Sequence, residues 1–420
     1  MGRYVYWLAL ACALASPAAV AGDGARYLSC PAPAVDDGSR YTVSDEEEPG
    51  FLQLPFGPCL RLGATVSASA GSLFYNDIFD READRSNGST VASSGSLDVS
   101  TRQRLDAFDL STNVTFESSG SGLLLSRATI NAGPFAVGRR SSFFDYWEPT
   151  NFLYTDLVPS KYPVVAAYTV RLAPNVRLSV SAESPRTRFV VVDGYGSQSL
   201  PDVVARLRIK TAFATIQASA AWRRVRFAPT WTGMPAAGDF DDDEDGDGDG
   251  PSPGASPAVA GRLAATGWAL QLAATIPLPV LGSGDELVFE ADYARNAPGY
   301  LGVSNPDDAV GYTMPSSFTA RQAELSRGAS ASVMLTHHWS TQWRSSAFVT
   351  YMTLRFDQPR LPQLRVVRSA VNLVWSPIQD LDVGIETNRI QALVPRGSAF
   401  QEDLPSRDQW TFQGSVKRSF

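Results

Sequence analysis

The sequence contains only two histidines, His337 and His338, and they are adjacent. Catalytic triads and metal sites draw their bases or ligands from separate parts of a chain, which two neighbouring imidazoles cannot supply. Neither histidine lies beside a recognisable nucleophile motif. The sequence therefore argues against a histidine-dependent enzyme, and we expect no catalytic residue, metal site or cofactor.

Long hydrophobic runs are also scarce. The run Trp7–Ala15 follows Arg3 and precedes the small-residue triplet Ala19-Val20-Ala21, a pattern that predicts a secretory signal peptide over residues 1–21. No later stretch reaches the roughly 18 apolar residues of a membrane helix. Any membrane span must therefore be built from strands, and we expect residues 22–420 to form a single domain.

Charged residues make up 19% of the chain, the formal net charge is −7, and no dense basic stripe is present, so we expect no nucleic-acid partner. Cysteine is equally sparse, with three residues. Cys12 leaves with the signal peptide, and Cys30 and Cys59 remain as an even pair in an oxidising compartment. We therefore expect a disulfide between Cys30 and Cys59.

What the chain does contain is strand-like alternation along most of its length, with 33 glycines and 28 prolines to punctuate it. In 108–117, Phe108, Leu110 and Val114 share one face, and Asp109 and Glu117 share the other. Similar segments are 59–70, 122–131, 134–140, 162–173, 175–184, 202–210, 214–222, 268–276, 287–293, 326–336, 342–356, 363–375, 381–391 and 408–420. The repetition predicts an all-β fold, a transmembrane antiparallel barrel of about 16 strands.

The connections predict which end of the barrel faces outward. Short turns alternate with long polar insertions, which we place at 71–100, 184–201, 226–262 and 296–325. Long loops on one side are typical of the external end of an outer-membrane barrel. The last strand ends at Phe420, and we expect it to pair with the first strand, because a barrel in lipid has no free edge.

Several short motifs resemble the alphaproteobacterial porins. They are Tyr27-Leu28-Ser29-Cys30, Phe51–Pro58 followed by Cys59-Leu60-Arg61-Leu62-Gly63, the segment Gly133–Ser160, Leu200-Pro201-Asp202-Val203-Val204, and the ending Val416-Lys417-Arg418-Ser419-Phe420. The resemblance implies a homotrimeric general-diffusion porin in the outer-membrane lipid, with sixteen strands and one loop folded inward as a constriction.

The constriction is predicted within Ser141–Ser160, where Asp145, Glu148 and Asp156 stand among six aromatic residues. The aromatics would anchor the loop to the wall while the carboxylates face water. The alternative is an ordinary external loop whose aromatics lie in a subunit interface. Basic residues predicted to line the pore opposite the loop are Arg61, Arg127, Arg139, Arg206, Arg208 and Lys210, although such rows can also be ordinary solvated interior surface.

The acidic segment 238–250 is predicted to be an external loop. Its run Asp245–Gly250 resembles the start of a calcium loop. A full loop that starts at Asp245 needs a glutamate at its twelfth position, which is Ser256 here. An ordered calcium site and a solvated loop that attracts divalent cations loosely both remain open.

Taken together, the sequence predicts a passive pore for ions and small hydrophilic solutes. Three alternatives remain: a substrate-specific channel of the same fold, a barrel enzyme that would depend on His337 or His338, and a soluble secreted β-protein or adhesin.

Overall fold

The computed structural model describes sixteen long strands and parts of their connections. The described residues are 52–53, 59–78, 88–105, 108–119, 122–146, 152, 161–228, 264–304, 312–313, 318–358, 361, 363–394 and 406–420. The signal segment 1–21, Cys30 and the acidic segment 238–250 lie outside them.

The sixteen strands form one antiparallel barrel in which each strand pairs with its neighbours in the sequence. They are β1 Cys59–Ile78, β2 Gly88–Arg104, β3 Asp109–Ser119, β4 Gly122–Ala132, β5 Phe135–Arg139, β6 Val164–Ala173, β7 Val176–Glu183, β8 Asp202–Lys210, β9 Thr215–Arg226, β10 Ala264–Pro277, β11 Glu286–Arg295, β12 Ser326–His338, β13 Trp343–Phe356, β14 Leu364–Ile378, β15 Leu381–Ala392 and β16 Ser406–Ser419. The predicted fold class is confirmed.

The barrel closes between its last strand and its first. β16 pairs with β1 from Ser406 opposite Ile78 to Ser419 opposite Thr65. The terminal residue extends this ladder, because the Phe420 N–H donates to the Ala64 carbonyl at 2.8 Å. Closure removes the two sheet edges whose unpaired backbone groups could not be satisfied in lipid.

Alternation along each strand separates an outer face from an inner one. In β9, Ala218, Ala220 and Trp222 are exposed, whereas Gln217 and Arg223 are buried inside the barrel. Exposed aromatics mark both ends of the outer face. Trp222 and Trp268 pair near one end, and Trp343 pairs with Trp375 at the other. An apolar outer band between aromatic belts is the surface that a membrane barrel presents to lipid.

The two ends of the barrel differ in their connections. Turns such as 133–134, 174–175 and 379–380 lie at the end that holds the C-terminus, and the long connections 184–201 and 296–325 lie at the opposite, external end. The predicted insertion at 71–100 is wrong, because β1 continues to Ile78 and β2 begins at Gly88. This stretch is rich in Ser, Gly and Thr. It still forms strands, because strand pairing uses backbone hydrogen bonds and does not require apolar side chains.

Short elements fold within the connections. The β11–β12 connection (296–325) contains a 3-10 turn at Pro298–Tyr300, a parallel pairing of Val303–Ser304 with Tyr312–Thr313, and the helix α1, Ala320–Glu324. The β7–β8 connection (184–201) contains a 3-10 turn at Pro185–Arg188. No helix in the described ranges is long and apolar enough to cross a membrane.

Candidate functional site

The connection from β5 to β6, residues 140–163, is called the constriction loop below, and its described residues 140–146, 152 and 161–163 lie inside the barrel. Its first part is fixed to the inner wall through Glu183 at the end of β7. Ser142 Oγ donates to Glu183 Oε2 at 2.6 Å, and the Phe143 N–H donates to Glu183 Oε1 at 2.8 Å. On β9, Gln217 Nε2 donates to the Phe144 carbonyl at 3.2 Å. The loop therefore runs along the inside of the barrel.

Aromatic side chains extend these anchors across the lumen. The Tyr146 hydroxyl donates to Thr275 Oγ1 on β10 at 2.8 Å. Phe152 packs edge-on against the inward-facing Phe348 of β13, with ring centroids 4.9 Å apart. The loop thus reaches from β5 to the wall eight strands further along the chain. The inward-folded loop is confirmed, while Glu148, Asp156, Trp147 and Tyr154 lie outside the described residues.

Asp145, one of the three carboxylates predicted to face water, is instead held in an ion pair. Arg188 Nη2 donates to Asp145 Oδ1 at 2.5 Å, and the Lys161 N–H donates to Asp145 Oδ2 at 2.8 Å. Burial alone would lower the pKa of Arg188, but Asp145 raises it above its ordinary value. The carboxylate therefore serves to fix the loop, whatever field it adds to the pore.

Arg188 also lies between two aromatic rings of different loops. Its guanidinium carbon is 4.3 Å from the Tyr300 ring centroid and 5.9 Å from that of Phe144. Its Nη1 donates to the Gly299 carbonyl at 3.1 Å. One arginine of the β7–β8 connection thus joins the constriction loop to the β11–β12 connection.

A second arginine, Arg223 on β9, is fully buried beneath this junction. Its guanidinium lies 3.6 Å from Asp202 and 3.5 Å from Glu324, and its Nη1 donates to the Arg188 carbonyl at 3.3 Å. The Tyr300 hydroxyl donates to Asp202 at 2.9 Å. We call Asp145, Arg188, Asp202, Arg223, Tyr300 and Glu324 the mouth network, because they tie three connections to the wall at the external end.

Asp145 is the only member of the mouth network that was predicted as a site residue. The polar face of β9 marks Arg223 as inward, but its acidic partners Asp202 and Glu324 are 21 and 101 positions away along the chain, and no motif links them. The charged Asp202 at the start of a predicted strand was a second signal, but neither signal identifies the partners.

The predicted basic wall is inward on β8. Arg206 and Arg208 share the inner face and stack on the constriction loop, with guanidinium carbons 4.4 Å from the Phe143 ring and 5.7 Å from the Tyr146 ring. Lys210 follows in the same file at the turn end and is exposed. Arg206 and Arg208 therefore contact the aromatic side chains of the loop.

Arg61 and Arg127 occupy the inner face of β1 and β4. Arg61 alternates with the exposed Leu62 on β1, and Arg127 pairs across the sheet with the inward Thr115. The Arg127 guanidinium lies 5.9 Å from the Tyr162 ring at the return of the constriction loop. Both are partly exposed inside the barrel.

Arg139 is placed differently from its prediction. Arg139 pairs with the exposed Val164 of β6 and follows the exposed Val137 by two residues on β5. Its side chain therefore lies on the outer face. The next residue, Arg140, is buried and lies 4.8 Å over the Phe143 ring. The structure does not support the prediction that Arg139 lines the pore. The alternation of the strand directs the side chain of Arg140, and not that of Arg139, into the barrel.

Two acidic residues missed as sites face the lumen from β11. Glu290 and Asp292 are buried on the inner face, and Ser330 Oγ donates to Asp292 at 3.0 Å. Their spacing of two along a strand was the available signal, since it places both on one face. Cys59 is buried at the start of β1.

Comparison with known proteins gives the fold. No protein-family model and no curated protein sequence matches the chain. The structure is similar to the outer membrane channel DcaP of Acinetobacter baumannii, with a TM-score of 0.62 and 15% identity over 88% of this chain and 100% of that one. It is also similar to an anion-selective porin from Comamonas acidovorans, with a TM-score of 0.52 and 9% identity over 86% of this chain and 100% of that one. A third similar structure is Salmonella typhi OmpF in complex with daunomycin, with a TM-score of 0.51 and 9% identity over 87% of this chain and 98% of that one. The chain is therefore an outer-membrane β-barrel with the fold of porins and related channels.

Proposed function

We propose that the barrel is a passive, water-filled pore through which ions and small hydrophilic solutes cross the outer membrane. The observation that carries the proposal is the uneven filling of the lumen. The buried side chains of the interior come almost wholly from β5–β15 and their connections. Along β1–β4, most inward side chains are polar and partly exposed, which supports a hydrated path along this wall.

The groups along that path suit a hydrated solute. Asn113 donates to Ser100 at 2.8 Å, Asn131 donates to Ser111 at 3.1 Å, and Thr115 donates to Asp98 at 2.6 Å. Side chains that already satisfy one another hold water and solutes weakly. Weak, repeated sites allow a solute to leave as easily as it enters, as passive conduction requires.

The test is single-channel conductance of the purified protein in a planar bilayer, with the reversal potential measured under a salt gradient. Long-lived open steps are expected. Folded protein that gives no steady conductance would overturn the proposal. We propose that the barrel is a pore and not an enzyme that depends on its two histidines. The double variant His337→Ala/His338→Ala should therefore conduct like the wild type.

A substrate-specific channel is the second candidate, and the mouth network is the observation that favours it. Three connections pack together over one side of the lumen, and such packing narrows the external opening. Swelling of protein-containing liposomes in a series of neutral sugars separates the two functions. A rate that falls smoothly with solute size indicates general diffusion, and a rate that is high for one solute indicates specificity.

Four further features belong to the proposal. The motifs that resemble the alphaproteobacterial porins suggest a homotrimer, which light scattering of the detergent complex tests. A disulfide between Cys30 and Cys59 would fasten the chain ahead of β1, and mass spectrometry before and after reduction tests it. The same mass measurement tests removal of residues 1–21.

We also propose that the pore is lined by Arg61, Arg127, Arg206, Arg208 and Lys210.

A further inference from the structure

Three arginines form a row on the outer face of the barrel. Arg295 on β11 is directly opposite Arg327 on β12, which is directly opposite Arg355 on β13. Directly opposed residues of an antiparallel pair project to the same face. All three side chains are exposed and lie at the end with the long connections. We call these residues the arginine row.

Neighbouring aromatics fix the depth of the arginine row. Trp268 is directly opposite Arg295, and its ring lies 5.3 Å from that of Tyr293, two positions toward the middle of β11. Tryptophan and tyrosine collect where lipid headgroups meet the hydrocarbon core. The arginine row therefore lies at the headgroup level of the outer leaflet.

Among the described residues, no acidic side chain neutralises these charges. None of the three arginines forms an ion pair with any residue in the described part of the chain. By contrast, Arg389 on the same outer face is paired with Asp408 at 2.7 Å and lies 5.1 Å over the Trp410 ring. Like charges directly opposite in a sheet repel and destabilise it. An anion bound over the arginine row would offset this repulsion.

The chemistry of the arginine row favours phosphate. A guanidinium presents a planar fork of donors that fits a phosphate group in two-point contact. Adjacent guanidiniums on neighbouring strands can hold two phosphates of one headgroup. A headgroup is also the anion that is already present at this depth.

An apolar groove begins on β11 below Arg295, at one end of the arginine row, and extends from there toward β7. Its outward lining includes Leu207, Ala218, Ala220, Leu270 and Tyr293, and it encloses about 570 Å³. The two alanines leave the depression between the larger side chains. Its end at Tyr293 lies two residues below Arg295 on the same face of β11. A lipid whose headgroup lies on the arginine row therefore has room for an acyl chain there.

We propose that the arginine row binds the phosphate groups of a phosphorylated lipid of the outer leaflet, with one acyl chain in this groove. The inference rests on the placement in the outer membrane and is independent of conduction. Its test measures binding of diphosphoryl lipid A to the detergent-purified protein by native mass spectrometry. Dephosphorylated lipid A and inorganic phosphate are measured beside it.

The variant Arg327→Gln/Arg355→Gln should bind diphosphoryl lipid A about tenfold more weakly, because charge-assisted contacts are lost. The control variant Arg139→Gln/Arg226→Gln removes the same charge from the outer face elsewhere and should bind within about twofold of wild type. Heat-shifted electrophoretic mobility verifies that each barrel is folded. Equal losses in the two variants, equal binding of the dephosphorylated lipid, or displacement of the lipid by inorganic phosphate at equal concentration would each overturn the proposal.

Discussion

Arg188 donates a 2.5 Å hydrogen bond to Asp145, and this contact joins the constriction loop to the β7–β8 connection. The two side chains are 3% and 17% exposed. A buried pair of this kind contributes modestly when compared with apolar residues, but removal of one partner leaves a charge without compensation. The pair is therefore one of the contacts that hold the loop in position, and the one that ties it to the β7–β8 connection.

Arg188→Gln should release the constriction loop. We expect a larger and noisier single-channel current, together with a loss of about 3 kcal/mol in the free energy of unfolding. The matched control is Arg186→Gln, which removes an exposed arginine from the same 3-10 turn. Equal current noise in the two variants would show that Arg188 does not hold the loop.

Arg127 and Arg139 test whether inward charge sets ion selectivity. They lie on neighbouring strands, with Arg139 opposite Ala128, yet they project to opposite faces of the wall. Arg127→Gln should shift the reversal potential toward cation preference, because the lumen loses a positive charge. Arg139→Gln should leave it unchanged. A shift of equal size in both variants would contradict the assignment of Arg127 to the pore lining.

The alternation of the sequence was sufficient to predict the barrel, as the segment 214–222 within β9 illustrates. Applied strictly from Phe135 and Val137, the same alternation places Arg139 outward, so that error was avoidable. The first part of β1 was predicted as 59–70, but its continuation to Ile78 and the whole of β2 were missed, because Ser, Gly and Thr offer no apolar pattern. The mouth network was beyond prediction, since its contacts depend on how separate connections fold back over the lumen.

Glu324 makes the stability of the mouth network depend on pH. Burial raises the pKa of this carboxyl from 4.5 to about 7, although Arg223 lowers it. Between these values the folded protein keeps a proton that the unfolded chain releases. The stabilisation is therefore complete below pH 4.5 and is lost as the pH rises through 7.

Thermal unfolding in detergent from pH 5 to 8 measures this effect. Glu324 should contribute a loss of up to about 3 kcal/mol over the titration. Glu324→Gln should reduce the total loss by about this amount, because the amide stays uncharged throughout, while other buried carboxyls keep their share of the slope. The control Asp193→Asn changes an exposed acid of the β7–β8 connection and should keep the wild-type slope. A Glu324→Gln profile as steep as the wild type would assign the slope to another group.

Gly138 is the position where β5 admits no side chain. Its φ is +125°, and a Cβ there would lie 2.1 Å from the Ala128 carbonyl oxygen on β4. The constriction loop begins two residues later, so the strain falls where the chain leaves the wall for the lumen. Gly138→Ala should cost on the order of 3 kcal/mol and reduce the folded fraction, because this backbone region is reserved for glycine and β4 or β5 must move.

The matched control is Gly63→Ala on β1, where the nearest atom to the new Cβ is 3.7 Å away. We expect it to fold like the wild type when refolding yield is measured by heat-shifted electrophoretic mobility. If both alanine variants fold equally well, β4 and β5 pair more loosely than the close approach of Gly138 to the Ala128 carbonyl implies. In that case Gly138 does not fix the direction in which Arg140 enters the lumen. A selective loss with Gly138→Ala instead means that the backbone at this one position directs the loop inward.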